Sequence, residues 1–310
     1  MIEDILNNHY KNKFNKKPEL LDLYKIQAAR ELDLVTLNIG LGDAVALTCL
    51  TQQSSKKLNI FSPNKHWQTL CKFNSALNPI GESKNYIRTE ILELHNVGNG
   101  HIDQRLQRTL GLPVQKLPKP YLHPTVPLNK KRNKVALHFS TGISAFDLIQ
   151  HGFVNPRQLE DWAQKEILKF IDGSNLEFVE FGMEQKFQHP KVKDFTKTSV
   201  EDSVNEMATC EYFMGLNSGF MSVAAALELK SVIIVNVPDV KDLYLPVIQE
   251  CSAEDMNWLY PQNVHLHQNG ENELVKKLSV VNIKKAFDGE IYPFWSHQFL
   301  DLIYDHNFSR

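Results

Sequence analysis

An excess of one charge is missing from this chain. Its 34 Lys and Arg residues stand against 36 Asp and Glu, for a formal net charge of -2. A nucleic-acid binder needs a basic surplus or stripe to neutralise phosphates, so no nucleic-acid partner is expected. The densest basic run, Lys130-Lys131-Arg132 with Lys134, reads as a solvated linker. Cysteine is scarce and scattered: Cys49, Cys71, Cys210 and Cys251 form no Cys-x-x-Cys pair. Neither a zinc site nor a disulfide framework is indicated, and free thiols fit a reducing compartment. No apolar run approaches the ~20 residues that span a bilayer, and residues 1–17 lack the apolar core of a signal peptide. A cytoplasmic protein is expected, with peripheral association at the inner face of the cytoplasmic membrane left open. There is no Asp-x-Asp, Walker loop, Gly-x-Ser-x-Gly elbow or His-Glu-x-x-His. No metal site and no resident cofactor are expected.

What is present is globular. The apolar share is 42% and the charged share 23% over 310 residues, enough for two domains of ordinary size. Strand-like runs alternate with helical ones. Leu34–Ile39 reads as a buried strand, Ala44–Thr51 as a helix, Leu58–Phe61 as a strand and 66–73 as a helix. Ile91–Leu94 is a further strand candidate, and 18–32 and 102–110 read as helices. Between Leu112 and Asn133 five prolines fall in a lysine-containing stretch, which reads as an interdomain linker. The alternation then restarts with strands at Val135–Phe139, Glu177–Phe181, Tyr212–Leu216 and Ser231–Val237. Helices fall at 156–171, 200–210 and 219–229 between them. Such alternation predicts parallel sheets covered on both faces. The expected architecture is two Rossmann-like domains, 1–128 and 129–290, facing a central cleft. An amphipathic helix over 291–310 would follow, docking on a domain surface.

Four segments carry chemistry. Asn38-Ile39-Gly40-Leu41-Gly42-Asp43 lies between strand and helix, where glycine permits a sharp turn and close ligand approach. It lacks the third glycine of the dinucleotide fingerprint, because Val45 stands there. Asp43 has two readings: a general base at the cleft, or a residue that only caps its helix. Gly215-Leu216-Asn217-Ser218-Gly219 runs into a helix with a small first turn, a natural anion site; a tight capped turn is the plainer alternative. His138-Phe139-Ser140-Thr141-Gly142 ends a strand with two hydroxyls that suit phosphate oxygens, or an ordinary hydroxyl-capped turn. Phe181-Gly182-Met183-Glu184 ends the next strand, and Glu184 could accept from a sugar or simply be solvated. His265 and His267 share one face of a strand candidate and read as surface or packing residues.

In this order the four segments resemble the bacterial heptosyltransferase-like glycosyltransferase family 9, of the GT-B fold. The resemblance implies a GT-B protein that moves a sugar from a nucleotide-diphosphate donor. The acceptor would be a hydroxyl of a glycan, a lipopolysaccharide or another lipid-linked saccharide. It implies that Asp43, in the Gly-Asp turn, deprotonates the acceptor. Ser140, Thr141, Gly182, Glu184, Asn217, Ser218 and Gly219 would hold the donor, with Gly42, His66 and His101 on the acceptor side. The stretch Asn217-Ser218-Gly219-Phe220-Met221-Ser222-Val223-Ala224-Ala225-Ala226 keeps the spacing of the family's Asp-(Ser/Thr)-Gly-x-x-His-x-Ala-Ala-Ala. It departs at Asn217, where the family has an acid, and at Ser222, where it has a histidine. The lysine expected after the phosphate loop is absent, since 142–155 contains neither Lys nor Arg. An epimerase of similar fold and a non-catalytic GT-B module that binds a glycan are the competing readings. The sequence assigns no oligomeric state.

Overall fold

The computed structural model describes residues 33–35, 40–52, 58–61, 69–79, 86–88, 101, 103, 107, 119–124, 130–140, 158–236, 260, 262–271, 276–291 and 293. The strand candidate at 91–94, the helix candidate at 18–32 and, but for Ile291 and Pro293, the tail helix over 291–310 lie outside them.

The first half is a four-stranded parallel sheet in the order β3-β2-β1-β4. Its strands are β1 (Asp33–Val35), β2 (Leu58–Phe61), β3 (Leu77–Pro79) and β4 (Tyr86–Arg88). Helix α1 (Leu41–Ala46) follows β1 and continues as a 3-10 turn over Leu47–Gln52.

The second half is a seven-stranded sheet, parallel at every pairing, in the order β11-β10-β9-β8-β5-β6-β7. Its strands are β5 (Lys134–His138), β6 (Glu177–Glu180), β7 (Val192–Asp194), β8 (Tyr212–Leu216), β9 (Lys230–Val235), β10 (Asn263–His267) and β11 (Lys276–Lys277). Strand β5 is buried at all five positions, and β9 at all but its first. A strand covered on both faces needs this continuous apolar run rather than alternation. The chain winds one way from β5 to β7, then crosses back to place β8 on the other side of β5. The β5/β8 boundary is therefore the topological switch point, where ligands bind at the carboxyl ends of such strands.

Helices α2 (Asp161–Gly173) and α5 (Val280–Phe287) cover one face. Ala163, Ile167, Phe170 and Ile171 of α2 are buried there at helical spacing, with Phe170 stacked on Phe287 at 5.4 Å. Helices α3 (Val200–Met207) and α4 (Gly219–Ala226) belong to the other face. Helix α4 is apolar on every side and buried from Met221 to Ala226, as expected of a helix with protein all round it. What covers its outer side is the first half. Ala44, Val45, Leu50, Leu70 and Phe73 join Val223, Ala225, Ile233 and Tyr260 in one continuous core.

One expectation needs correction. Lys134 is not a solvated linker residue but the buried first residue of β5. Its ammonium is held by Glu206 at 3.0 Å and by the Thr209 hydroxyl at 2.6 Å. The proline-rich stretch, where described, packs against both halves. Leu122 is buried, the Tyr121 N–H donates to Thr48 Oγ1 at 2.7 Å, and Lys119 pairs with Glu228 of the second half.

Candidate active site

The site forms where β5, β6 and β8 end. His138 is the last residue of β5, and across the switch point its Nδ1 lies 2.9 Å from Ser218 Oγ. Ser218 is the N-cap residue of α4, yet its side chain makes no cap bond to that helix. The first amides of any helix have no partner within it, so those of Gly219 and Phe220 remain available at the positive end of the helix dipole. Asn217, beside them, has no hydrogen-bond partner for its side chain among the described residues.

Ser140, two residues beyond β5, accepts from the Met183 N–H at 3.1 Å. That bond joins the loop after β5 to the loop after β6. Gly182 makes it geometrically accessible: its φ is 123°, and a Cβ there would lie 2.2 Å from Ser140 Oγ. Both conformation and space reserve this position for glycine. The His138 ring lies between the two sides of the site. Its Cδ2–Nε2 edge is 3.2 Å from that same Cβ position, and the Phe220 ring is 4.6 Å from its centroid. Burial pushes the imidazole down to about 4, so it is neutral at pH 7.

Glu180 holds the loop after β6. Its buried carboxylate accepts from the Lys186 N–H at 2.9 Å and the Phe187 N–H at 3.0 Å. Burial raises its pKa, and those two amides oppose the rise.

The two halves meet at this end through α1 and α4. A Cβ on Gly219 would lie 2.8 Å from the Gly42 nitrogen and 2.8 Å from Leu41 Cβ. The helix starts therefore touch backbone to backbone, which only glycine allows. Asp43 follows directly, half-buried, with Oδ2 accepting the Gly40 N–H at 2.7 Å. The capping reading of Asp43 is thus realised, and the bond fixes the carboxylate next to the α1–α4 contact.

The structure brings Gly42, Asp43, Ser140, Gly182, Ser218 and Gly219 into this region, with Asn217 at its edge. Thr141 and His66 lie outside the described residues. Glu184 points away: it is exposed and paired with Lys186, whose ammonium lowers its pKa. His101 is fully buried beneath the α1–α4 contact rather than lining an open surface. Its Nδ1 accepts the Asp103 N–H at 3.2 Å, and its ring lies 4.5 Å from Tyr260. The Tyr260 hydroxyl reaches Asp103 Oδ1 at 3.4 Å and also bonds Ser222. Burial raises the Asp103 carboxyl, with His101 and Tyr260 opposing. Ser222, at the family's histidine position, belongs to this polar joint between the halves.

Sequence reasoning placed neither His138 nor Glu180 in the site. A histidine closing an apolar strand beside the hydroxyl pair was the available signal for the first. For Glu180 the signal was its place as the last residue of Glu177–Glu180.

No family model matches the chain, and no curated protein matches it in sequence. Solved structures do. The E. coli heptosyltransferase WaaC with ADP is 11% identical, with 83% of this chain and 99% of that chain covered and a TM-score of 0.55. A glycosyl transferase family 9 protein from Veillonella parvula is also 11% identical, covering 90% and 99%, with a TM-score of 0.52. The dodecameric iron-containing heptosyltransferase TibC, in complex with ADP-D-beta-D-heptose, is 13% identical, covering 78% and 65%, with a TM-score of 0.52. The chain spans less than two thirds of TibC, 58% and 65% in two structures of it. At such identities the likeness establishes the fold: this chain has the heptosyltransferase-like GT-B fold of glycosyltransferase family 9. Among the described residues no group of three or more His, Cys, Asp or Glu could hold a metal ion, and no helix is long and apolar enough to cross a membrane.

Proposed function

We propose that this protein is a glycosyltransferase that moves a sugar from a nucleotide-diphosphate donor to an acceptor hydroxyl, with inversion and without a metal. The acceptor is a glycan or lipid-linked saccharide, met in the cytoplasm or at the inner face of its membrane. One observation carries the reading: Ser140, Ser218 and the uncapped start of α4 converge at the switch point of a GT-B fold. Hydroxyls and helix amides there suit a diphosphate. Two of the solved structures support this: WaaC and TibC are heptosyltransferases seen with ADP and ADP-heptose respectively.

In the reaction Asp43 takes the proton of the acceptor hydroxyl as its oxygen forms the new bond to the anomeric carbon. The bond from that carbon to the diphosphate oxygen breaks on the opposite face. The leaving diphosphate carries the electron pair away, stabilised by the amides of Gly219 and Phe220 and by the Ser140 hydroxyl. Asp43 ends protonated, and the carbon is inverted. The Gly40 amide, bonded to Oδ2, orients the carboxylate.

The capping bond of Asp43 favours a second reading, a GT-B module that binds a saccharide without catalysis. Asp43→Asn separates the two, because the amide oxygen can keep the Gly40 bond and the fold with it. Titration with ADP-, GDP- and UDP-sugars is expected to find one donor bound equally by wild type and variant. Transfer, followed by release of the nucleoside diphosphate, is expected to fall by roughly 100-fold or more. Near-normal turnover in the variant removes Asp43 as the base. Absence of affinity for any nucleotide sugar overturns the transferase reading.

A further inference from the structure

Among the described residues the site holds no fixed cation. Residues 142–155 contain neither Lys nor Arg, and the cations described near the loops are engaged elsewhere or exposed. Lys186 pairs with Glu184. Lys197 is exposed, and its backbone N–H is bonded to the Gly182 carbonyl at 2.8 Å. A diphosphate bound by neutral groups alone would keep most of its charge uncompensated.

Among the described residues His138 is the one titratable side chain in the cluster formed with Ser140, Gly182 and Ser218. Its two ring nitrogens are placed unequally. Nδ1 is committed to Ser218 Oγ at 2.9 Å. Nε2 has no hydrogen-bond partner among the described residues. It lies beside Gly182 and the Ser140 hydroxyl, 3.2 Å from the point where a Gly182 Cβ would stand. The ring itself is 95% buried, at 5% exposure, and clamped against Phe220. An imidazole fixed through one nitrogen, with the other facing an anion site, is a proton-dependent anion ligand.

We propose that His138 is the missing cation of the donor site, taking up a proton as the diphosphate binds. Nε2–H then donates to a diphosphate oxygen. Nδ1–H donates to Ser218 Oγ, which turns the Ser218 hydroxyl's own hydrogen toward the ligand. In the imidazolium both nitrogens are donors, so one proton from solvent raises the donors directed at the site from one to two. The inference rests on the donor-site reading above.

The groups facing His138 leave it free to respond. Ser218 and Phe220 of α4, Gly215 of β8, and Ser140 and Gly182 of the flanking loops are uncharged. The nearest carboxylates by chain position are Glu180, spent on two amides, and Glu184, spent on Lys186. Asp43 lies across the α1–α4 contact and is held by Gly40. In the unliganded protein the ring sits at about 4. An adjacent anion raises such a group by roughly 1–3 units, so the complex holds the proton at a higher pH than the unliganded protein does.

The test compares wild type with His138→Gln and His138→Asn. Gln places an amide near Nε2, and Asn keeps a partner for Ser218. Affinities for inorganic pyrophosphate and for ADP, GDP and UDP are measured by calorimetry from pH 5 to pH 8.5. Taking the wild-type to variant ratio at each pH cancels the ligand's own titration. A protonating His138 gives an advantage that grows as the pH falls, from about none at pH 8 to roughly twofold to 100-fold at pH 5. A ratio that is flat across pH, at any value, overturns the inference while the donor site stands. Wild type that binds none of the four probes overturns the donor-site reading and the inference with it. A ratio that falls with pH in both variants supports it, because a structural defect would weaken binding at every pH.

Discussion

Acid should unfold this protein earlier than its carboxylates alone would. Three histidines are buried with depressed pKa values: His138 and His267 at about 4 and His265 at about 3, against 6.5 for the free side chain. In each the first cause is desolvation, and His265 is lowered further by its neighbour His267. The folded pKa lies below the unfolded one, so the unfolded chain binds the proton first. Stability is complete above about pH 6.5 and is lost as the pH falls toward 4 and 3. At pH 5 each unfolded histidine is almost fully protonated and each folded one almost not. The difference is roughly 1.5 pK units, or about 2 kcal/mol per residue. The three together approach about 6 kcal/mol, comparable with the whole stability of many domains. Glu180 and Asp103, raised by burial, act in the opposite direction and offset part of this. Urea unfolding followed by fluorescence at intervals from pH 7.5 to 5 measures it. The slope of stability against pH should approach uptake of about three protons on unfolding, less the offset. His138→Asn should remove about one proton and about 2 kcal/mol of the loss. Constant stability between pH 7.5 and 5, with His138→Asn unchanged from wild type, refutes the reasoning.

Two further substitutions probe the joint between the halves. Gly219→Ala puts a methyl 2.8 Å from the Gly42 nitrogen, so α1 and α4 must separate. It should lower stability by about 1–3 kcal/mol in denaturant unfolding and weaken pyrophosphate binding, whereas unchanged stability would deny the contact. Tyr260→Phe leaves the buried Asp103 carboxyl and Ser222 hydroxyl short of a partner. It should cost about 1–3 kcal/mol, and a neutral effect in the same assay would show that the polar joint contributes nothing.

Much of the second half was legible because its central strands are mostly apolar. Val135–Phe139 and Ser231–Val237 differ from the observed β5 and β9 by a residue or two at their ends. The edge strands were not legible. Val192–Asp194 has one buried residue, and β11 is two exposed lysines, so neither carries a periodic signal. Strand β10 was half-legible: Val264 and Leu266 face α2 and α5, while His265 and His267 turn into the other side and are buried. Polar side chains at those positions hid a fully buried strand. In the site, the glycines and hydroxyls at strand ends were readable from local chemistry alone. The His138–Ser218 bond was not, because it joins residues 80 apart in the chain and exists only once β8 has crossed back beside β5. Glu180 and Glu184 illustrate the same limit. They stand four apart in one segment, and only the pairing of β6 decides which is buried.

The central claim is that the carboxyl ends of β5 and β8 hold a donor diphosphate with Asp43 across from it. A crystal structure with the nucleotide sugar bound tests it most directly. The account predicts the diphosphate against Ser140, Ser218 and the Gly219 amide, in contact with His138 Nε2. The anomeric carbon should lie between the diphosphate and the acceptor hydroxyl that Asp43 deprotonates. A diphosphate bound elsewhere, or Asp43 on the leaving-group side of the sugar, would contradict it.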